Sequence, residues 1–109
     1  MDSVLIMVIV NKGYTDLVME AALDSGARGG TVLNARGTGN SQIEEFYGVQ
    51  IKPDKEIVMI VVNNEIKDKV LEAIGKAAGL NTKGQGIAFA LPVSDTVGLE
   101  GENEDPIKK

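Results

Sequence analysis

Two strand-like segments of this chain are nearly the same, and this repetition limits the fold more than any other feature. The segment IMVIVN (Ile6 to Asn11) matches VMIVVN (Val58 to Asn63) almost residue for residue. Each is followed by an amphipathic helical segment, a glycine loop and another apolar segment. A doubled strand–helix–strand unit in a chain of 109 residues is typical of the ferredoxin-like fold. The sequence therefore predicts an α+β domain of βαββαβ order, with an antiparallel sheet and helices on one face.

Periodicity and turn residues place the individual elements. Strands are predicted over 4–11, 30–35, 56–63 and 87–93, and the second helix over 65–80. The first helix lies in YTDLVMEAALDSG, capped by Thr15 or Asp16 and ended by Gly26. Its predicted apolar residues are Leu17, Val18, Ala21, Ala22 and Leu23. Residues 36–55 are predicted to form a long loop with a helical turn around 43–46. Pro92 places the last strand at an edge of the sheet.

Both faces of the first and third predicted strands are apolar. Two helices can cover one face, so the other needs a partner. Residues such as Leu5, Met7, Ile9, Val58, Ile60 and Val62, or their alternates, would form it. Self-association with the sheets facing inward is the simplest way to bury this face, which predicts a homo-oligomer.

Composition excludes several classes of function. The net charge of −5 is unsuited to nucleic-acid binding, which needs clustered Lys and Arg. The chain has no Cys and no His, which removes disulfides, thiolate nucleophiles, Ser–His pairs and the usual zinc sites. This usage agrees with a cytoplasmic protein. The apolar run VLIMVIV is too short to span a bilayer and reads as a buried strand.

The stretch GARGGTVLNARGTG (26–39) holds five glycines and both arginines of the chain. It ends in GTG, and a second cluster, GQG (84–86), precedes the last strand. Backbone amides of glycine turns can form anion-binding nests, and Arg28, Arg36 and Lys83 flank them. An anion such as a nucleotide phosphate would fit, although plain turn chemistry explains a GxG pattern equally well. Neither a Walker A motif nor a complete GxGxxG fingerprint is present.

Taken together, these segments resemble the P-II signal-transduction family of nitrogen-regulatory proteins, and more closely its divergent PII-like branch. The resemblance covers roughly residues 3–98 and rests on G-x-x-G-x-T-V (26–32), GTG (37–39) and GQG-x-x-F (84–89). It implies a homotrimer with the sheets facing inward, and an adenine nucleotide such as ATP, ADP or AMP between subunits. The implied nucleotide-binding residues are Ile9, Gly29, Thr31, Gly37, Thr38, Gly39, Val61, Gly84, Gln85 and Gly86. It also implies that Gly86→Asp abolishes nucleotide binding without unfolding the trimer.

This chain departs from the family pattern in its phosphate and metal contacts. Ile87 stands where the family has a lysine directly after the B-loop GQG, and SDTVGLEG (94–101) lacks the two C-terminal arginines. Ser41 replaces the glutamine that helps hold magnesium and 2-oxoglutarate, so magnesium is left open and 2-oxoglutarate sensing is not expected. We expect Arg28, Arg36 or Lys83 to supply the missing contacts. With altered phosphate contacts, ADP, AMP or a cyclic nucleotide could be the preferred ligand.

The resemblance implies a regulator rather than an enzyme, although slow nucleotide hydrolysis stays open. The domain would span residues 1–99, with an acidic tail over 100–109 and a shortened T-loop over about 37–55. Bound nucleotide would order this loop, which would control a membrane transporter or a metabolic enzyme. Its apolar residues Ile43, Phe46 and Tyr47 could contact that target. Tyr47 is not equated with the tyrosine that the family modifies.

Two other functions fit the predicted fold. A trimeric module of the CutA type would mediate interactions or metal tolerance without nucleotide, but the absence of His and Cys disfavours soft metals. A small hydrolase of the acylphosphatase type would need an arginine between the first strand and the first helix. The segment NKGYTD (11–16) offers Lys12 and Gly13 there, and no arginine.

Overall fold

The computed structural model describes residues 2–37, 54–81 and 85–99. Its elements in chain order are β1 (Ser3–Asn11), α1 (Thr15–Asp24), β2 (Thr31–Arg36), β3 (Asp54–Asn63), a 3-10 turn (Asn64–Ile66), α2 (Lys67–Ala77) and β4 (Gly86–Val93). The strands form one antiparallel sheet in the order β2-β3-β1-β4. The two repeated segments are therefore the central strands, and β4 with its Pro92 is an edge strand as predicted. The predicted ferredoxin-like order of elements is confirmed.

The core lies between the sheet and the two helices. The sheet contributes alternate residues of its central strands, which are Val4, Ile6, Val8, Val10, Val58, Ile60 and Val62. Val18 and Ala22 of α1 and Val70 and Ile74 of α2 pack on them without exposed surface. Aliphatic side chains of similar size fill this layer, so close packing rather than aromatic burial holds the domain together.

Both helices end in the same backbone motif. After α1, the amide of Ala27 donates to the carbonyl of Ala22 (3.0 Å) and that of Gly26 to Leu23 (3.1 Å). After α2, Leu80 donates to Gly75 (2.9 Å) and Gly79 to Lys76 (3.3 Å). These pairs are Schellman motifs, in which a glycine with positive φ satisfies the last carbonyls of the helix. Gly26 has φ +113° and Gly79 has φ +65°, so the internal repeat extends to the helix ends.

The helices differ in detail from the predictions. Helix α1 begins at Thr15 after Tyr14, and no side chain caps it, so the predicted caps Thr15 and Asp16 are wrong. Its outer residues Leu17 and Leu23 are 43% and 48% exposed because the core needs only a narrow stripe of α1. Helix α2 is shorter than predicted because residues 64–66 form the 3-10 turn, where the Asn63 side chain accepts from the amide of Glu65 (2.8 Å).

The second face of the sheet, here called the open face, is apolar and carries no helix. Its residues are Leu5, Met7 and Ile9 of β1, Leu33 of β2, Ile57, Met59 and Val61 of β3, and Ile87, Phe89 and Leu91 of β4. The prediction of a second apolar face is confirmed. The named set mixed the two faces, however, because Val58, Ile60 and Val62 lie under the helices and their alternates lie on the open face.

Gly75 and Gly26 differ in backbone conformation, so we expect their replacement by alanine to have opposite effects on stability. We expect Gly75→Ala to stabilise the protein by about 1 kcal/mol, because Gly75 lies inside α2 and its added Cβ meets nothing within 4 Å. We expect Gly26→Ala to destabilise it by about 1 kcal/mol or more, because φ is +113° and the Cβ would lie 3.2 Å from Ile66 Cδ1. Thermal unfolding followed by circular dichroism measures both. A lower Tm for Gly75→Ala would contradict the helix assignment.

Candidate functional site

The candidate site lies at one end of the sheet, where β1 and β2 end and β3 and β4 begin. Antiparallel pairing sets Asn11 opposite Lys55 and Arg36 opposite Asp54. On the other side of β1, Val10 is opposite Gly86, the first residue of β4. Residues from four distant parts of the sequence therefore converge at this end.

An open cleft of about 340 Å³ lies at this end of the sheet, lined by Lys12, Asn34, Ala35, Arg36, Asp54 and Lys55. Its charged groups are three cations and one carboxylate. Within the described ranges, no ion pair joins Lys12 or Arg36 to a carboxylate. Lys55 donates to a neutral amide oxygen, Asn11 Oδ1, at 2.6 Å. The lining of the cleft thus carries more positive than negative charge, in a protein whose net charge is −5.

A line of polar side chains continues from the cleft toward β4. Asn11 Nδ2 donates to Gln85 Oε1 (3.3 Å), and Gln85 Nε2 donates to the hydroxyl of Tyr14 (3.1 Å). These contacts join residues more than 70 positions apart in sequence. They hold Gln85, directly before Gly86, against the end of β1 and the start of α1.

In the turn between β1 and α1, two backbone amides already donate hydrogen bonds to groups of β3. The amide of Gly13 donates to the Glu56 carboxylate (3.1 Å), and the amide of Lys12 donates to the carbonyl of Asp54 (3.2 Å). A phosphate-binding loop would need such amides for its ligand. This geometry disfavours the acylphosphatase reading, in which this turn would hold phosphate.

The described nucleotide-binding candidates form two groups. Ile9, Gly37, Gln85 and Gly86 lie at the cleft end of the sheet. The second group is Arg28, Gly29, Thr31 and Val61, toward the start of β2 and the end of β3; Thr31 is paired with Met59. Ile9 is opposite Ile57, four positions from Val61, which corresponds to about 13 Å along the strand. One chain therefore does not bring Ile9 and Val61 into one pocket.

Other predicted residues lie outside the described part of the chain. These are Thr38, Gly39, Lys83 and Gly84 of the nucleotide set and Ile43, Phe46 and Tyr47 of the loop. The loop itself was predicted over about 37–55, but Asp54 and Lys55 already belong to β3 because they pair with β2 and β1.

The glycines near the site serve different purposes. An added Cβ on Gly86 would lie 2.2 Å from the carbonyl oxygen of Ile9, and one on Gly30 would lie 3.0 Å from Met19 Sδ and from Ile60. Gly37 packs against the stem of Lys55. Only at Gly29, among the described glycines of the 26–39 stretch, would a Cβ meet nothing within 4 Å. Packing within the described part of the chain therefore does not explain Gly29.

Sequence reasoning missed Lys55 as a candidate anion contact and considered Lys12 only in the acylphosphatase alternative. It considered Arg28, Arg36 and Lys83, of which Arg36 lines the cleft and Arg28 precedes β2 at a distance from it. Lys12 follows β1 directly and Lys55 is the second residue of β3. The antiparallel pairing of β1 with β3 sets Lys55 opposite Asn11, next to Lys12, so the register of these strands is the signal that could have found both lysines.

The described ranges hold neither a membrane-spanning helix nor a cluster of metal ligands. No helix there is long and apolar enough to cross a membrane. No group of three or more His, Cys, Asp and Glu side chains in residues 2–37, 54–81 and 85–99 is placed to hold a metal ion.

The sheet order and the two helices on one face define a ferredoxin-like α+β domain, and a cationic cleft lies at its strand ends. The family model described as "Nitrogen regulatory protein P-II" matches residues 3–103. The chain therefore belongs to the P-II family, and the predicted resemblance is confirmed. A crystal structure of Arabidopsis thaliana PII bound to citrate is similar, with 28% sequence identity, a TM-score of 0.71, and coverage of 92% of this chain and 85% of that one. P-II proteins are signal-transduction regulators rather than enzymes.

Proposed function

We propose that this protein is an adenine-nucleotide-binding regulator that reports energy state through ATP, ADP or AMP. The observation that carries the proposal is the cleft at the strand ends, where Lys12, Arg36 and Lys55 face one carboxylate, Asp54. Arg and Lys are the side chains that bind phosphate oxygens best, the first with a planar fork and the second as a point charge. These cations would replace the family contacts that the sequence lacks at Ile87 and over 94–101.

The base and the phosphates would contact different subunits. Ile9 and Val61 lie on the open face but about 13 Å apart along the strands, so the adenine ring of a nucleotide bound to one chain could not contact both. A homotrimer with the sheets facing inward would bury the open face and set the cleft end of one subunit beside Gly29 and Thr31 of its neighbour. The free space around Gly29 supports this arrangement.

The proposed binding of an anion has a parallel in the family. The Arabidopsis relative was crystallised with citrate, a tricarboxylate. A cleft of about 340 Å³ with an excess of positive charge suits a di- or trianionic group of that size. Citrate is therefore a useful competitor, because it tests the anion site without an adenine base.

The regulatory output would come from the segment between β2 and β3. Arg36 and Lys55 flank this segment and both line the cleft, so an anion bound there would contact both ends of it. A ligand shifts such a loop only if its affinity differs between loop states. The target would be a membrane transporter or a metabolic enzyme reached from the cytoplasm, with Ile43, Phe46 and Tyr47 offering apolar contacts.

A charge-removal series tests the proposal. We expect Lys55→Met to weaken ADP binding at least tenfold, because a charge-assisted hydrogen bond to phosphate contributes about 1.5–3 kcal/mol. Isothermal titration calorimetry against ATP, ADP, AMP and cyclic AMP, with and without magnesium, measures the affinity. Citrate should compete with the strongest of these ligands.

Lys69→Met is the matched control, because Lys69 is an exposed lysine of α2 that does not line the cleft. It should leave the affinity unchanged. Equal affinity of wild type and Lys55→Met would reject the cleft as the phosphate site. No heat with any nucleotide, from folded protein, would favour the CutA-like interaction module.

A further inference from the structure

The contact between Lys55 and Asn11 fixes the direction of a hydrogen-bond chain. A lysine ammonium can donate but cannot accept, so the side-chain oxygen of Asn11 must face Lys55 Nζ. The amide nitrogen of Asn11 then faces Gln85, and it donates to Gln85 Oε1 at 3.3 Å. Because each amide has one donor end and one acceptor end, the orientation of the first determines that of the second.

The direction continues to the start of α1. With its oxygen facing Asn11, Gln85 presents its nitrogen to Tyr14 and donates to the hydroxyl at 3.1 Å. The four side chains of Lys55, Asn11, Gln85 and Tyr14 are here called the relay. They run from β3 across the end of β1 to the residue before β4 and the residue before α1. Asn11, Gln85 and Tyr14 are half-buried, where hydrogen bonds are stronger than in open solvent and unpaired groups cost more.

We propose that Asn11 is a positioning residue. It holds the side-chain amide of Gln85 in one orientation for as long as Lys55 Nζ donates to Asn11 Oδ1. The inference rests on the proposed function for its consequence, since Lys55 also lines the cleft. An anion that engages Lys55 would thereby alter the side chain next to Gly86, where β4 begins. Asn11 does not line the cleft and acts on the ligand only through Lys55 and Gln85.

A ligand-free experiment tests the relay itself. In ¹H–¹⁵N spectra of the full chain, Lys55→Met should shift the side-chain amide signals of Gln85, although the hydrogen bonds of the described residues connect the two only through Asn11. The Asn11→Leu background keeps the size of the side chain and removes its hydrogen bonds to Lys55 and Gln85. In this background the same Lys55→Met change should leave the Gln85 signals unshifted. A Gln85 signal indifferent to Lys55→Met in the presence of Asn11 would overturn the proposal, as would an equal shift in both backgrounds.

A second measurement connects the relay to binding, with inorganic pyrophosphate as the probe. Asn11→Leu should weaken pyrophosphate binding about three- to tenfold, a size typical of coupling within one hydrogen-bonded network. Asn63→Leu is the matched control, because Asn63 ends the repeated segment in β3 as Asn11 ends it in β1. Asn63 lies at the far end of the sheet, opposite Ser3, so its loss should lower stability and spare the affinity.

The two measurements separate failure of the relay from failure of the function. If the wild-type protein binds neither pyrophosphate nor ADP, the anion site is refuted. If Lys55→Met nevertheless shifts the Gln85 signals only when Asn11 is present, the relay is supported. Normal pyrophosphate binding by Asn11→Leu would overturn the positioning role in binding.

Discussion

Gly86→Ala is expected to lower the free energy of unfolding by at least about 3 kcal/mol, and Tm by more than about 10 °C. The added Cβ would lie 2.2 Å from the carbonyl oxygen of Ile9 and 3.1 Å from Val10 Cα. Both are backbone atoms of a central strand, so neither can rotate away as a side chain would. The φ of +141° adds strain for any residue with a side chain.

The prediction changes how the glycines of the site are to be tested. The expectation that Gly86→Asp removes binding and leaves the fold intact is wrong, because any side chain at Gly86 collides with β1. Gly29→Ala is the better probe of nucleotide binding, since its Cβ meets nothing within 4 Å in the described chain. For the same reason it is the matched control for the effect of Gly86→Ala on stability. It should change stability by less than about 0.5 kcal/mol while weakening nucleotide binding.

Thermal unfolding and calorimetric titration of both variants give the answer. A stable Gly86→Ala protein would mean that β4 does not pair with β1 through Gly86. A Gly29→Ala protein with unchanged affinity would remove Gly29 from the nucleotide site.

Leu91→Asp is expected to dissociate the proposed trimer, raising its dissociation constant by about 100-fold or more. Leu91 lies on the open face opposite Leu5 and is 45% exposed in the isolated chain. A carboxylate there is hydrated in a monomer but would be buried without a partner between inward-facing sheets. Size-exclusion chromatography with light scattering should show wild type near three times the 11.5 kDa chain mass and Leu91→Asp near the single mass.

Leu23→Asp is a matched control for the trimer experiment. Leu23 is also a leucine, is 48% exposed, and lies on the outer side of α1 rather than on the open face. Its replacement should leave the oligomer intact. Dissociation by Leu23→Asp and not by Leu91→Asp would place the subunit contact on the helices and contradict inward-facing sheets.

Local sequence patterns were enough to predict the fold class. The repeated segments at Ile6–Asn11 and Val58–Asn63 predicted two copies of one unit, and β propensity with helical periodicity identified the strands and helices. A strand has only two faces, with a period of two residues, so apolar residues at both parities already indicated a second apolar face. Gly26 marked the end of α1 for an equally local reason, since few other residues adopt positive φ at low cost.

The tertiary structure alone decided which residues share a face and which share a site. Val58, Ile60 and Val62 lie under the helices because β3 pairs with β1 in a register that sets Val62 opposite Val4. The same register sets Lys55 opposite Asn11, which are 44 positions apart in sequence. Strand register depends on contacts between distant segments, and a one-residue slip would exchange the two faces. For that reason the elements could be predicted from the sequence, whereas the cationic cleft, the relay and the collision at Gly86 required the assembled sheet.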